Sequence, residues 1–362
     1  MIEADSLKCL RCLLIAGVSP QEDLKVYKVG LKRLDRVTYV TEVPSLSSIY
    51  TELHITAGES EGVNTQHEVW QLETASKRRK TLHDQPIKCS DIFKPLLLGR
   101  EKPISRVTKK GIKKERPMRT VLTKGIAGIG KTFSVRHFTL EWAKGLENQD
   151  VVLLVPFSFR ELNLVRDEQH SLLSLIHRFH PELKKVTAEQ LAAWKVVFIF
   201  DGLDESRFSL KFQNIDIGSD VFDNNAIVSD VTVTSSVALL LTNLIEGNLL
   251  PSALLWITTR PAAANQIPAE CVDMVTEVRG FTDPQKEKYF RNIFSDEEQT
   301  SPDPQTVESL HRLGEEKLAD RILSHLKTSK TLYIMCHIPL FCWIIATILL
   351  DMLMTHQQIS PS

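Results

Sequence analysis

The chain has 362 residues, 44 Lys and Arg against 45 Asp and Glu, and 43% hydrophobic residues. That is length enough for two or three domains with a substantial core, in an ordinary globular composition. A formal net charge of −1 supplies no global field for nucleic acid or anionic lipid, and six cysteines are too sparse for a disulfide scaffold, so reduced thiols and no nucleic-acid partner are expected.

In chain order, residues 1–44 are mixed and unpatterned. Leu10–Val18 is short and carries Arg11, which does not make a signal peptide. Cys9 and Cys12 have no second pair downstream and read as ordinary cysteines rather than a zinc or redox site. Ser45–Ile55 alternates loosely, as a short strand or a turn of helix. Thr56–Ser76 holds Gly58, Gly62 and Asn64 and reads as loop, and the basic run Lys77–Lys80 reads as a solvated loop. Arg100–Arg119 is basic and is expected to be structureless; its part up to Gly111 is a near-repeat of Lys114–Gly125, and is taken as an insertion.

Arg119–Lys124 is β-prone and leads into Gly125-Ile126-Ala127-Gly128-Ile129-Gly130-Lys131-Thr132, the pattern G-x-x-x-x-G-K-T. Its glycines let backbone N–H groups approach phosphate oxygens, Lys131 has the reach for β- and γ-phosphates, and Thr132 can put its hydroxyl on Mg²⁺. Val135, Phe138, Thr139 and Trp142 then fall on one helical face, so phosphates would meet a helix N-terminus.

Strand and helix alternate from there, the signature of a parallel α/β sheet. Val151–Phe157, Val196–Phe200 and Leu254–Thr259 are continuous apolar runs, as expected of strands covered on both faces, and Asp273–Val278 is a fourth candidate. Leu172–Phe179, Ala188–Trp194 and Ser236–Glu246 read as helices; Phe208–Thr234 is a polar excursion. After Gly280 the pattern is helical, with Pro284–Phe294 and Glu315–Leu326 as helices and an acidic loop between them. Leu332–Leu350 is long enough to span a bilayer; the reading preferred to a membrane anchor is a buried helix pair broken at Pro339.

Two further strand ends carry chemistry. Val196–Phe200 runs into Asp201-Gly-Leu-Asp204-Glu205. Ligands of open α/β sheets sit at the carboxyl ends of strands, so Asp201 is the candidate Mg²⁺ acid beside Thr132. Glu205 is the favoured base for a water attacking the γ-phosphate, with Asp204 as the alternative. Leu254–Thr259 ends at Arg260, placed to oppose γ-phosphate charge.

The apolar-Asp-Gly-Leu-Asp-Glu strand, the Thr258-Thr259-Arg260-Pro261 end and Met335-Cys-His-Ile-Pro339-Leu-Phe-Cys-Trp343 together resemble the NACHT ATPase of NOD-like immune receptors. Ile49–Ile55, Glu68–Ala75 and Cys89-Ser-Asp-Ile-Phe-Lys94 are similar to the fish-specific NACHT-associated segment of teleost receptors. The resemblance implies an α/β P-loop NTPase sheet flanked by helices and followed by a helical domain. Its expected divisions are an irregular segment 1–44, the fish-specific segment 45–99, a basic linker 100–118, the nucleotide-binding domain 119–280 and a first helical domain 281–362. It also implies a cytoplasmic switch of innate immunity that binds ATP or ADP with Mg²⁺, hydrolyses ATP weakly, oligomerises through the NACHT domain and signals through adaptors that the chain does not name. By matching position, Tyr50 and Thr51 would flank the adenine, Tyr289 would lie near phosphates or sugar, and Pro339 would pack on the base; Glu297–Gly314 reads as an insertion between the last two. No death-fold domain, winged helix or leucine-rich repeat is recognisable, so the expectation is either a piece of a longer receptor or a short member. The alternative from another class is a non-catalytic scaffold with a vestigial nucleotide site.

Overall fold

A computed structural model describes residues 20–32, 51–57, 86–94, 104–107, 113–116, 119–212, 227–295 and 318–358. In chain order the elements are α1 (Pro20–Lys32), β1 (Ile55–Ala57), β2 (Pro86–Ile87), β3 (Ile104–Val107), β4 (Lys113–Arg116), β5 (Thr120–Lys124), α2 (Lys131–Lys144), β6 (Leu153–Ser158), α3 (Leu172–Phe179), α4 (Ala188–Ala193), β7 (Val196–Asp201), α5 (Val237–Glu246), β8 (Leu254–Thr259), β9 (Met274–Val278), α6 (Asp283–Ser295), α7 (Leu318–Thr328), α8 (Lys330–Met335) and α9 (Pro339–Gln358). The described residues fall into two compact units. One lies within Met1–Asp35, Ser90–Lys124 and Val135–Val275; the other lies within Arg36–Cys89, Gly125–Ser134 and Thr276–Ser362.

The first unit holds a parallel sheet in the order β5-β8-β7-β6. Val197, Phe198, Ile199, Leu255, Trp256 and Ile257 are essentially inaccessible, because helices cover both faces of these strands. One face stacks Phe157 against Phe198 and Phe200, with ring centroids 6.4 and 5.7 Å apart. The other sets Trp256 edge-on to Phe138 of α2 at 5.3 Å. The face expected of α2 is the one buried: Val135, Phe138, Thr139 and Trp142. Local chemistry ends the helices. Ser171 and Thr187 form capping boxes at the starts of α3 and α4. Gly145 closes α2 at φ 83°: its N–H meets Trp142 O and that of Leu146 meets Glu141 O, a Schellman pair.

Two departures from the sequence reading lie in this unit. Within the stretch read as unpatterned, residues 20–32 form α1, whose Tyr27 and Leu31 are buried. Its hydrophobic stripe is narrow, since Val26 and Val29 face solvent, so the 3.6-residue period was faint. The stretch expected to be structureless contains the antiparallel hairpin β3–β4, with Ile104 paired to Arg116 and Val107 to Lys113. High charge had masked the pairing.

The second unit joins β1 between β2 and the end of β9 in an antiparallel ladder, Ile55 opposite Val278 and Ile87. Its helices surround Phe281, Tyr289, Phe290 and Phe294, all buried. The apolar stretch at 332–350 is two helices: α8 ends at Met335 and Pro339 opens α9, where its missing N–H costs no intrahelical bond. The pair is not buried as expected: α8 has no buried residue, and Leu332, Leu340, Trp343 and Ile348 are exposed. Among the described residues, no helix is long and apolar enough to cross a membrane. These elements make up the α/β class with a following helical region. Cys89, Cys271, Cys336 and Cys342 are buried and in no disulfide among the described residues. Tyr50, Cys9, Cys12, Lys77–Lys80 and all of 297–314 lie outside the described residues.

Candidate nucleotide site

In the second unit, the loop from Gly125 runs into the first turn of α2. Gly128 and Gly130 have φ of 71° and 105°. Positive φ at alternate residues is the backbone habit by which successive N–H groups line an anion-binding concavity. Side chains are excluded here by space as well: a Cβ on Gly130 would stand 2.6 Å from Leu53 Cδ1, and one on Gly128 2.9 Å from Leu340 Cδ2. Lys131 Nζ donates to Gly125 O at 2.6 Å and to Ile126 O at 3.1 Å, so the ammonium curls over its own loop. Ile126 and Ile129 are buried and anchor the loop, while Ala127 and Thr132 are exposed.

The α8–α9 junction closes on this loop. Leu340 N–H donates to Gly128 O at 3.3 Å, and Ile338 lies on the other side of Pro339 against the same glycine. His337 steadies the junction: its carbonyl accepts from Phe281 N–H, its Nδ1 meets Phe281 O at 2.8 Å and its Nε2 lies 3.2 Å from Lys286 Nζ. An ammonium can only donate, so Nε2 accepts and Nδ1 carries the proton. Burial, then Lys286, lowers the His337 pKa. Thr51, two residues before Leu53, is 2% exposed, and its Oγ1 has no hydrogen-bond partner among the described residues. Tyr289 is buried with its ring 5.5 Å from that of Phe281; burial pushes its phenol up, with Cys342 and Cys336 adding to the shift.

In the first unit, register aligns the carboxyl ends of three parallel strands. Thr259 stands beside Lys124, and Ile257 beside Phe200, the residue before Asp201. Thr258 Oγ1 donates to Asp201 Oδ1 at 2.6 Å and accepts from Gly202 N–H at 3.0 Å. Arg260 grips Asp204 twice, Nε to Oδ2 at 2.9 Å and backbone N–H to Oδ1 at 3.2 Å. Glu205 is separate from that pair. Its Oε2 is 3.3 Å from Arg160 Nε, and its backbone carbonyl accepts from Asn163 Nδ2 at 2.9 Å. Asn163 Oδ1 in turn accepts from Arg207 N–H at 2.8 Å. Arg160 and Asn163 were not anticipated. The available signal was their place just after β6, since β6 is the parallel neighbour of β7 and Ser158 registers with Asp201.

A NACHT domain model matches residues 119–297, and the fish-specific NACHT-associated domain model matches residues 33–94. The chain is a NACHT-domain protein with an adjoining fish-specific NACHT-associated segment. It is homologous to NOD-like receptor proteins. It is 33% identical over 240 residues to mouse protein NLRC3, 66% of this chain and 19% of that protein. Against rhesus macaque NACHT, LRR and PYD domains-containing protein 3 it is 29% identical over 324 residues, 86% of this chain and 26% of the relative. Against bovine nucleotide-binding oligomerization domain-containing protein 2 it is 30% identical over 231 residues, 63% of this chain and 20% of the relative. The chain thus spans about a fifth to a quarter of the length of these relatives. Its sheet and following helices have the NACHT P-loop NTPase architecture. Family membership supports a general role in nucleotide-binding signalling.

Proposed function

We propose that this NACHT chain is a nucleotide-operated switch that binds ATP or ADP with Mg²⁺ and hydrolyses ATP slowly. The observation that carries the reading is the strand-end alignment: Lys124, Asp201 and Thr259 end neighbouring parallel strands, and Gly125–Thr132 continues directly from Lys124. The two positive-φ glycines and the unpartnered Thr51 hydroxyl fit a nucleotide. In this reading the loop 125–130 holds phosphates, Lys131 pairs with their charge, and Thr132 and Asp201 hold Mg²⁺. The ion, when bound, offsets charge on the phosphates. One carboxylate and one hydroxyl suffice for it, because Mg²⁺ keeps waters and takes substrate oxygens for its other positions.

Glu205 is the base that orients the attacking water. The ion pair and backbone hydrogen bond from Arg260 commit both oxygens of Asp204 to holding that arginine, which favours Glu205 over Asp204. Arg260, steadied by Asp204, opposes γ-phosphate charge. Thr51 and Pro339 line the base, and Tyr289 lies near the phosphates or sugar. Self-association through the nucleotide domain and a cytoplasmic location belong to the same reading.

The test is binding of ATP in the presence of Mg²⁺ to the full chain and to Lys131→Ala, with single-turnover phosphate release for Glu205→Gln. Lys131→Ala is expected to weaken affinity at least tenfold. Glu205→Gln should bind as the parent does but release phosphate about 10²-fold more slowly, the range for losing a general base. Unchanged affinity in Lys131→Ala would sink the reading. Equal phosphate release from the parent and Glu205→Gln would leave binding without Glu205-dependent hydrolysis, a scaffold rather than an ATPase.

A further inference from the structure

Thr258 is completely buried at the end of β8, directly in front of Thr259 and Arg260. A buried hydroxyl is expected to have at least one hydrogen-bond partner, most often a single backbone group or a water. This one instead spans two elements of the β7 turn. Its proton goes to Asp201 Oδ1 at 2.6 Å, while its lone pair takes the N–H of Gly202 at 3.0 Å. Both bonds have a forced direction, because an amide N–H only donates and a carboxylate accepts. The hydroxyl therefore has no rotational freedom left, and the carboxylate plane of Asp201 is tied to the end of β8. Gly202 sits at φ 80°, a left-handed turn that brings its N–H back toward the threonine. Thr258 is itself held. It registers with Thr123 of β5, and Thr123 Oγ1 accepts from Trp256 Nε1 at 2.7 Å one step earlier on the same face.

We propose that Thr258 is the positioning residue for the metal-holding acid: its hydroxyl sets the orientation in which Asp201 meets Mg²⁺. The inference rests on the reading of Asp201 given above and adds a residue to it. Thr258 touches neither nucleotide nor metal in this scheme; it acts through Asp201. Partners of metal ligands have a characteristic weight, since losing one typically costs 10–100-fold in metal affinity. A threonine whose role is only packing would be replaced by valine, its near-isostere, without effect on the metal.

The experiment uses the full chain freed of divalent metal, with a fluorescent ATP analogue at fixed concentration titrated with MgCl₂. Thr258→Val is expected to raise the Mg²⁺ concentration at half-maximal signal by about tenfold or more. Binding of the analogue without metal should be unchanged. Thr258→Ser, which keeps the hydroxyl, should titrate as the parent does. If valine prevents folding, Thr258→Ala removes the same donor without new bulk and carries the same expectation. Asp201→Asn separates the two levels of the argument. If Asp201→Asn shifts the Mg²⁺ titration and Thr258→Val does not, the positioning role is wrong and the metal assignment stands. If neither shifts it, the assignment of Asp201 is wrong as well.

Discussion

His137 on α2 is only 19% exposed, and burial, with Lys144 adding repulsion, lowers its pKa from 6.5 to about 4. His180 and His337 are lowered in the same direction, burial again leading. A depressed histidine is held neutral in the fold but takes up a proton near pH 6.5 once unfolded. Its contribution to stability is therefore complete above that pH and is lost as the pH falls toward the folded value. For His137 the window runs from 6.5 down to about 4. Each pH unit within it is worth about 1.4 kcal/mol. Urea unfolding at pH 7.5 and pH 5 should show the parent losing stability, and His137→Gln losing roughly 2 kcal/mol less. The same loss in both proteins would mean that this histidine is not held neutral. At this scale the sequence was legible where chemistry is local. Gly128 and Gly130 had to be glycines, and they are the two loop residues at positive φ. The protonation of His137 was not legible, because it depends on what covers the ring.

Among the elements, α1 shows best what periodicity misses. Tyr27 anchors it: the phenol donates to Leu154 O of β6 at 2.8 Å, and the ring lies edge-on to Trp142 and His180 at 6.4 and 5.4 Å. Lys28 adds an ammonium 4.3 Å from the centre of the Trp142 ring, and Asp23 meets Lys185 at 3.0 Å. Exposed charge pairs contribute little, so the helix is held mainly by one aromatic side chain. Tyr27→Phe should cost about 1 kcal/mol, the net worth of the lost hydrogen bond. Tyr27→Ala should cost about 3–5 kcal/mol, the range for emptying an aromatic site, as read by urea denaturation. Parent-like stability in Tyr27→Ala would mean α1 is not docked on β6. The α8–α9 pair shows the opposite case. An apolar stretch of membrane-spanning length was correctly divided at Pro339, because proline's missing N–H makes it a poor interior residue and a good first one.

For the whole molecule, the proposed switch predicts that nucleotide state governs association. Light scattering on the full chain should report a larger mass with a non-hydrolysable ATP analogue and Mg²⁺ than with ADP, and Lys131→Ala should remain in the smaller form with either. Equal masses for the parent in both nucleotides would count against self-association through this domain. Thr258→Val offers a graded version: it should need more Mg²⁺ to reach the larger form.

Sequence alone determined the parallel strands of the first unit, most helix ends and the glycine-lysine loop, since each depends on neighbours within a turn or two of chain; it missed the short antiparallel strands β2, β3 and β4. Runs such as Val196–Phe200 and Leu254–Thr259 declare burial on both faces whatever their partners are. Ser171, Thr187 and Gly145 close helices through bonds to residues three to five positions away. Only the tertiary structure decided which strand ends meet. The order β5-β8-β7-β6 and its register bring Thr258 to Asp201, Arg260 to Asp204 and Arg160 to Glu205, across 57, 56 and 45 residues of chain. No local pattern encodes that pairing, because it is selected by the packing of whole strands, and the side chains at their tips inherit their partners from it.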